Sequence, residues 1–103
     1  MDAARLVVDD VNELLDSRTR RLLYAPQLRE AAGSIAANVR EAYGRRDGAE
    51  RVQFFRVARS SAEETDEHLR GNFARARIPA PRYWRLHNRL ATIVKMLNSL
   101  MDE

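Results

Sequence analysis

The sequence predicts an all-α chain, with four amphipathic helices packed as an antiparallel up-down-up-down bundle. Two observations carry this. Apolar residues recur at steps of three and four in four successive segments of the 103-residue chain, the period of one face of an α-helix. The segments are separated by short connections marked by Pro26, by Gly44 with Gly48, and by Pro79 with Pro81. The length suits a single small domain over residues 1–103. A core of that size buries a modest share of surface, so oligomerisation is a natural source of further stability.

Helix 1 begins near Ala3, with Asp2 available as its N-cap. Leu6, Val7, Val8, Val11, Leu14 and Leu15 form its stripe, and Asp9, Asp10, Glu13 and Asp16 lie opposite. The phase continues through Leu22 and Leu23, past Arg18, Arg20 and Arg21. Two readings follow: one long helix ending near Tyr24, or a break around Asp16–Thr19. A break somewhere before Pro26 is the preferred one.

Helix 2 runs from about Pro26 to Tyr43, with Pro26 in the first turn, where its missing N–H costs nothing. Leu28, Ala31, Ala32, Ile35, Val39, Ala42 and Tyr43 share one face. That face is mostly alanine beside Gly33 and Ser34, so neighbouring backbones can come close on more than one side. Asn38 lies near the same face and needs a hydrogen-bond partner, best supplied by a neighbouring helix. With Glu41 it forms the sharpest polar pair of the segment. A buried network fixing helix register is the preferred role, and a contact across a subunit interface the alternative.

Helix 3 runs from about Ala49 to Ala76, with Asp47 available as its cap. Phe54, Phe55, Ala58, Ala62, Thr65, Leu69 and Phe73 give its stripe, while most carboxylates of Glu63, Glu64, Asp66 and Glu67 fall outside it. Helix 4 has the cleanest pattern: Tyr83, Leu86, Leu90, Ile93, Leu97 and Leu100, with Arg82, Arg85, Arg89 and Lys95 assigned to the opposite face.

The net charge of +3 hides a strong segregation. Residues 1–16 carry five acids and one Arg, whereas residues 70–95 carry seven bases and no acid. Clustered arginine without local acids suits a phosphate-rich partner. A solvated surface in an arginine-rich proteome accounts for it equally well. The best functional set is therefore Arg18, Arg20, Arg21, Arg45, Arg46, Arg82, Arg85, Arg89 and Lys95. Arginine pairs bidentately with phosphate, and each neutralised phosphate adds counterion release. No groove-reading motif accompanies the set, so binding to RNA or DNA is expected to be salt-sensitive and weakly selective. Tyr83 and Trp84 could stack bases if exposed. At least one of them is expected to be a packing anchor in the core or at a subunit interface.

Other chemistries find little support. There is no cysteine, which removes disulfides, thiolate metal sites and Cys nucleophiles. Glu63, Glu64, Glu67 and His68 do not make a di-iron set, because Thr65 stands where the Glu of Glu-x-x-His is required. His87 is read as a surface residue, and Ser34 and Ser61 lack a His/Asp arrangement. No enzyme activity, metal or cofactor is expected. No apolar run reaches membrane-span length and the N-terminus lacks a signal-peptide core, so a soluble cytoplasmic protein is the expectation.

Gln27, Leu28, Arg29, Ala31, Ala32, Ser34, Ile35, Ala37, Asn38, Glu41, Tyr43, Gly44 and Arg45 together resemble the helix-2 signature of the four-helix-bundle 23S rRNA intervening-sequence proteins. Phe54, Arg56, Ala58, Arg59, Ser61, Glu64 and Leu69 match its helix-3 block, and Lys95-Met96-Leu97 a motif near its end. The resemblance covers about three-quarters of the chain, from Gln27 onward. Ala36, Arg40, Ala42, Ala62 and Thr65 depart from the pattern, and Arg40 is a candidate partner for Glu41. The resemblance implies a homopentameric ring, an architecture shared with the accessory protein of diversity-generating retroelements. That protein is understood to bind nucleic acid and its reverse transcriptase. A ring needs two complementary patches per subunit: acidic helix 1 or Glu63–Glu67 on one side, and the arginine face of helix 4 on the other. On this basis Asn38, Glu41, Tyr43 and Trp84 are structural or interface candidates. The expected function is a nucleic-acid-binding ring, an adaptor for a reverse transcriptase among its roles. The alternative is a protein-binding scaffold with no nucleic-acid role.

Overall fold

The computed structural model describes residues 2–18 and 22–102, without the side chains of Asp2 and Arg18. It contains α1 (Asp2–Arg18), α2 (Ala25–Tyr43), α3 (Gly48–Ala74) and α4 (Ala80–Met101), with no strand among the described residues. Each helix packs on the next and α4 returns to α1, while the diagonal pairs make no close backbone approach. Cross-helix contacts give the directions. Ser61 meets Ser34 while Phe55 meets Tyr43, and Arg59 meets Asn98 while Phe73 meets Tyr83. Arg89 meets Asp10 while Arg82 meets Glu13, so α1 runs opposite to α4 and every sequential pair is antiparallel. The rod measures 43 × 20 × 19 Å, its length set by the 27 residues of α3 at about 1.5 Å each.

The expected stripes form the core: Val7, Val11, Leu14 and Leu15 from α1, Leu28, Ile35 and Val39 from α2, Phe55 and Leu69 from α3, and Leu86, Leu90, Ile93 and Leu97 from α4. Three expected stripe members fall outside it: on α1 Leu6 is half exposed and Val8 only partly buried beside buried Val7, and on α2 Tyr43 is exposed. The α2–α3 seam is the most extensive in the bundle. Ala31, Ala32, Ala58 and Ala62 are all buried, and small side chains let the two backbones approach.

Polar groups pin this seam as well. Asn38 Nδ2 donates to the Ser34 carbonyl at 2.8 Å and to Ser34 Oγ at 3.0 Å. Ser61 Oγ then bridges to Ser34 Oγ at 2.8 Å. The amide of Asn38 therefore bonds within its own helix, and the tie between helices is the serine pair. Glu41 belongs to neither. It is exposed and pairs with Arg45, not Arg40, at 3.0 Å.

Helix ends follow local chemistry. Asp47 caps α3, its side chain accepting from Ala49 N–H at 2.9 Å. Leu22–Tyr24 is not helical and Tyr24 has φ 58°, so helix 1 does not run on to Tyr24. Pro26 sits in the first turn of α2, as expected. Helix 3 stops at Ala74, two residues short of the expected end. Ala76 N–H bonds to Phe73 O and Arg77 N–H to Asn72 O, with Ala76 left-handed at φ 56°. These bonds make a Schellman motif, in which glycine usually occupies the left-handed position; with alanine there, the stop leaves no glycine signal.

Candidate nucleic-acid interface

The arginines of α4 do not all face away from the core. Arg82 and Arg89 flank the Leu86–Ile93 stripe on the side where α1 packs. Arg89 bonds Asp10, and Arg82 Nη2 lies 3.8 Å from Glu13 Oε1. Arg85 borders the same α1–α4 cleft, together with Asp10, Glu13, Arg82 and Leu86. It is exposed and makes no ion pair with a described residue. Three guanidiniums thus face two carboxylates, leaving one surplus positive charge on the seam. The assignment of Arg82 and Arg89 to the outer face is corrected accordingly. The centre of that face is Trp84, Asn88, Ala91 and Lys95, all exposed. Of the α1 acids that were candidates for a neighbouring subunit, Asp10, Glu13 and Asp16 are engaged inside the chain, whereas Asp9 is exposed with no ion pair among the described residues.

Arg45 is also engaged. It pairs with Glu41, lies 3.6 Å from Glu50 and stands over the Phe54 ring at 5.1 Å, a cation–π geometry. Arg46 and Lys95 are exposed without an ion pair among the described residues. Arg20 and Arg21, and the Arg18 side chain, lie outside the described set. Tyr43 is exposed, with only a ring edge against Phe55 at 5.7 Å.

Aromatic side chains gather near the start of α4. Tyr83 is buried and stacks on Phe73, with centroids 4.4 Å apart and planes 8° from parallel. It is the packing anchor. Trp84 is 50% exposed, and its ring stands steeply to those of Phe73, Tyr83 and His87, so half of its surface stays open to solvent. Arg75 stands in the turn that leads to α4, exposed and donating to the Gly71 carbonyl at 3.0 Å. The first turn of α4 holds no acid, and its N-cap has no side-chain hydrogen bond. The helix dipole there adds to the positive potential.

His87 is not the surface residue the sequence suggested. Its Nδ1 bonds Asp66 Oδ1 at 2.9 Å, while Asp66 Oδ2 accepts from Arg70 at 2.9 Å. Hydrogen bonding to Tyr83, followed by the charge of Asp66, raises the pKa of Arg70. No pattern within one helix announces this α3–α4 link. Among the described residues no three His, Asp or Glu side chains gather as a metal site. No helix of the described residues is long and apolar enough to cross a membrane.

Residues 1–99 match the family described as 23S rRNA-intervening sequence protein. The chain belongs to that family. The match runs through α1, further than the resemblance read from Gln27 onward. A solved structure is similar along its whole length: a protein of unknown function from the S23 ribosomal protein family of Bacteroides thetaiotaomicron. It is 25% identical, covers 99% of this chain and 97% of its own, and superposes with a TM-score of 0.88. No curated protein matches the chain. Neither finding names a reverse transcriptase or a retroelement.

Proposed function

We propose that this 23S rRNA-intervening sequence family member is a non-enzymatic module that binds nucleic acid, single-stranded stretches above all, at the α3–α4 end of its bundle. The observation that carries the reading is the half-exposed indole of Trp84, which meets Phe73 near the end of α3 and is followed in sequence by the unpaired Arg85. No acid lies between Glu67 and Asp102 in the sequence. Stacking on an aromatic ring contributes about 1–3 kcal/mol per base without regard to sequence, and unpaired guanidiniums supply phosphate contacts. Arg82 can join them, because an exposed ion pair such as that with Glu13 is worth only about 0–1 kcal/mol.

Assembly into a homo-oligomeric ring belongs to the same proposal, five copies being the number the resemblance implies. The exposed side chains of Leu6, Val57 and Met96 support further burial between copies. An adaptor role toward a reverse transcriptase rests on the resemblance alone. The rival reading, a scaffold that binds only protein, draws on the capture of Arg82 and Arg89 by Glu13 and Asp10. Fluorescence anisotropy with a labelled single-stranded oligonucleotide separates the two. Binding that weakens several-fold in an Arg75→Ala/Arg85→Ala variant supports the nucleic-acid module. Absence of binding at low salt leaves the scaffold.

A further inference from the structure

Between the outer sides of α3 and α4 runs an open groove of about 510 Å³. Its floor is apolar: Ala62, Leu90, Ala91 and Val94. Its walls carry Glu63, Asp66, Glu67 and Arg70 from α3 and His87 from α4, and the carboxylates differ in what they can do. Asp66 is satisfied by His87 and Arg70. Glu63 has only Arg59 Nε at 3.9 Å, and that guanidinium is already bonded to Asn98 at 2.7 Å. Glu67 is exposed with no ion pair among the described residues. Two under-used carboxylates, one helical turn apart, thus stand over an uncharged floor on a chain that is otherwise basic.

We propose that this groove docks a basic amphipathic helix from a different protein, its apolar face on Ala91 and Val94 and two cations against Glu63 and Glu67. Charge complementarity sets the sign of the partner, and the i, i+4 spacing of the carboxylates sets its register. From Ala62 to Arg70 the wall is about 12 Å long, two turns of a helix. This chain does not supply the occupant itself. Its only cations spaced i, i+4 are Arg85 and Arg89, and Arg89 is held by Asp10 while the apolar stripe of α4 lies in its own core. One end of the groove borders Trp84 through His87, their rings 5.3 Å apart, but the cations of the peptide meet Glu63 and Glu67 on α3, so different variants test the two proposals.

The test is anisotropy of a labelled helical peptide with lysines at i and i+4 beside a leucine face, titrated with the full chain. A scrambled peptide of identical composition controls for bulk charge, and solution mass is followed in parallel. The designed peptide is expected to bind at least about tenfold tighter than the scrambled one. Glu63→Lys/Glu67→Lys is expected to abolish that difference, since each reversal turns an attraction into a repulsion. Arg85→Ala leaves it intact. Equal affinity for the two peptides overturns the proposal. So does an unchanged affinity in the double reversal, displacement by an oligonucleotide, or a change of oligomeric mass in the double reversal, which assigns the groove to a second copy.

Discussion

Asn72 closes its side-chain amide on the backbone of Leu23. Its Oδ1 accepts from Leu23 N–H at 2.6 Å and its Nδ2 donates to Leu23 O at 3.0 Å and His68 O at 2.8 Å. Asn72 is fully buried, so water has no ready access to replace these bonds. They anchor the non-helical stretch that leads into α2 against the last turns of α3. Asn72→Ala should therefore cost about 2–3 kcal/mol, because it strands a buried donor and acceptor as well as losing the bonds. Urea unfolding checks this, and a cost under about 0.5 kcal/mol, the range of ordinary surface changes, contradicts it.

Ala76 offers the opposite sign. A left-handed alanine costs roughly 1 kcal/mol that glycine avoids, whereas glycine loses part of that gain through its freer unfolded chain. Ala76→Gly should stabilise the chain by about 0.5 kcal/mol and raise Tm by a few degrees. A lower Tm would show that the Schellman turn is not held as described.

The serine pair between α2 and α3 should couple. In a double-mutant cycle, Ser34→Ala and Ser61→Ala should show an interaction of about 0.5–1.5 kcal/mol, the net worth of one hydrogen bond. Additive costs would mean that the 2.8 Å contact contributes nothing to the seam.

Arg85 and Arg89 sit one turn apart on α4 and should behave differently. Arg85→Ala should weaken oligonucleotide binding several-fold and leave stability within about 0.5 kcal/mol. Arg89→Ala should cost up to about 1 kcal/mol of stability by freeing Asp10, and change binding by less than about twofold. Parallel melts and titrations check both. Equal loss of binding in the two variants contradicts the division between a paired and an unpaired arginine.

What could be read from residues alone follows the reach of each signal. Helical periodicity reports burial along one segment, so the α4 stripe, most of the α1 and α2 stripes and the first turn of α2 came out as expected, while Leu6 and Tyr43 at the stripe edges lie exposed. It does not say where the neighbouring helix lies. For that reason Arg82 and Arg89 looked outward-facing, and the bonds of Asp66 to His87 and of Ser61 to Ser34 went unseen. The roles of buried Ser61 and Asn72 were not legible, because their partners lie 27 and 49 residues away. The end of α3 was misplaced because alanine fills a glycine position. The exposed Trp84 and buried Tyr83 were anticipated only as a pair with divided roles, and the fold decided which took which.

The central claim is best tested through Trp84, the sole tryptophan of the chain. Its emission should be followed while a single-stranded RNA oligonucleotide is added across a series of salt concentrations. The account predicts saturable quenching. If Arg75, Arg82 and Arg85 each meet one phosphate, log affinity should fall against log salt with a slope of about −2. Emission unchanged at the lowest salt, or an affinity that ignores salt, would contradict it.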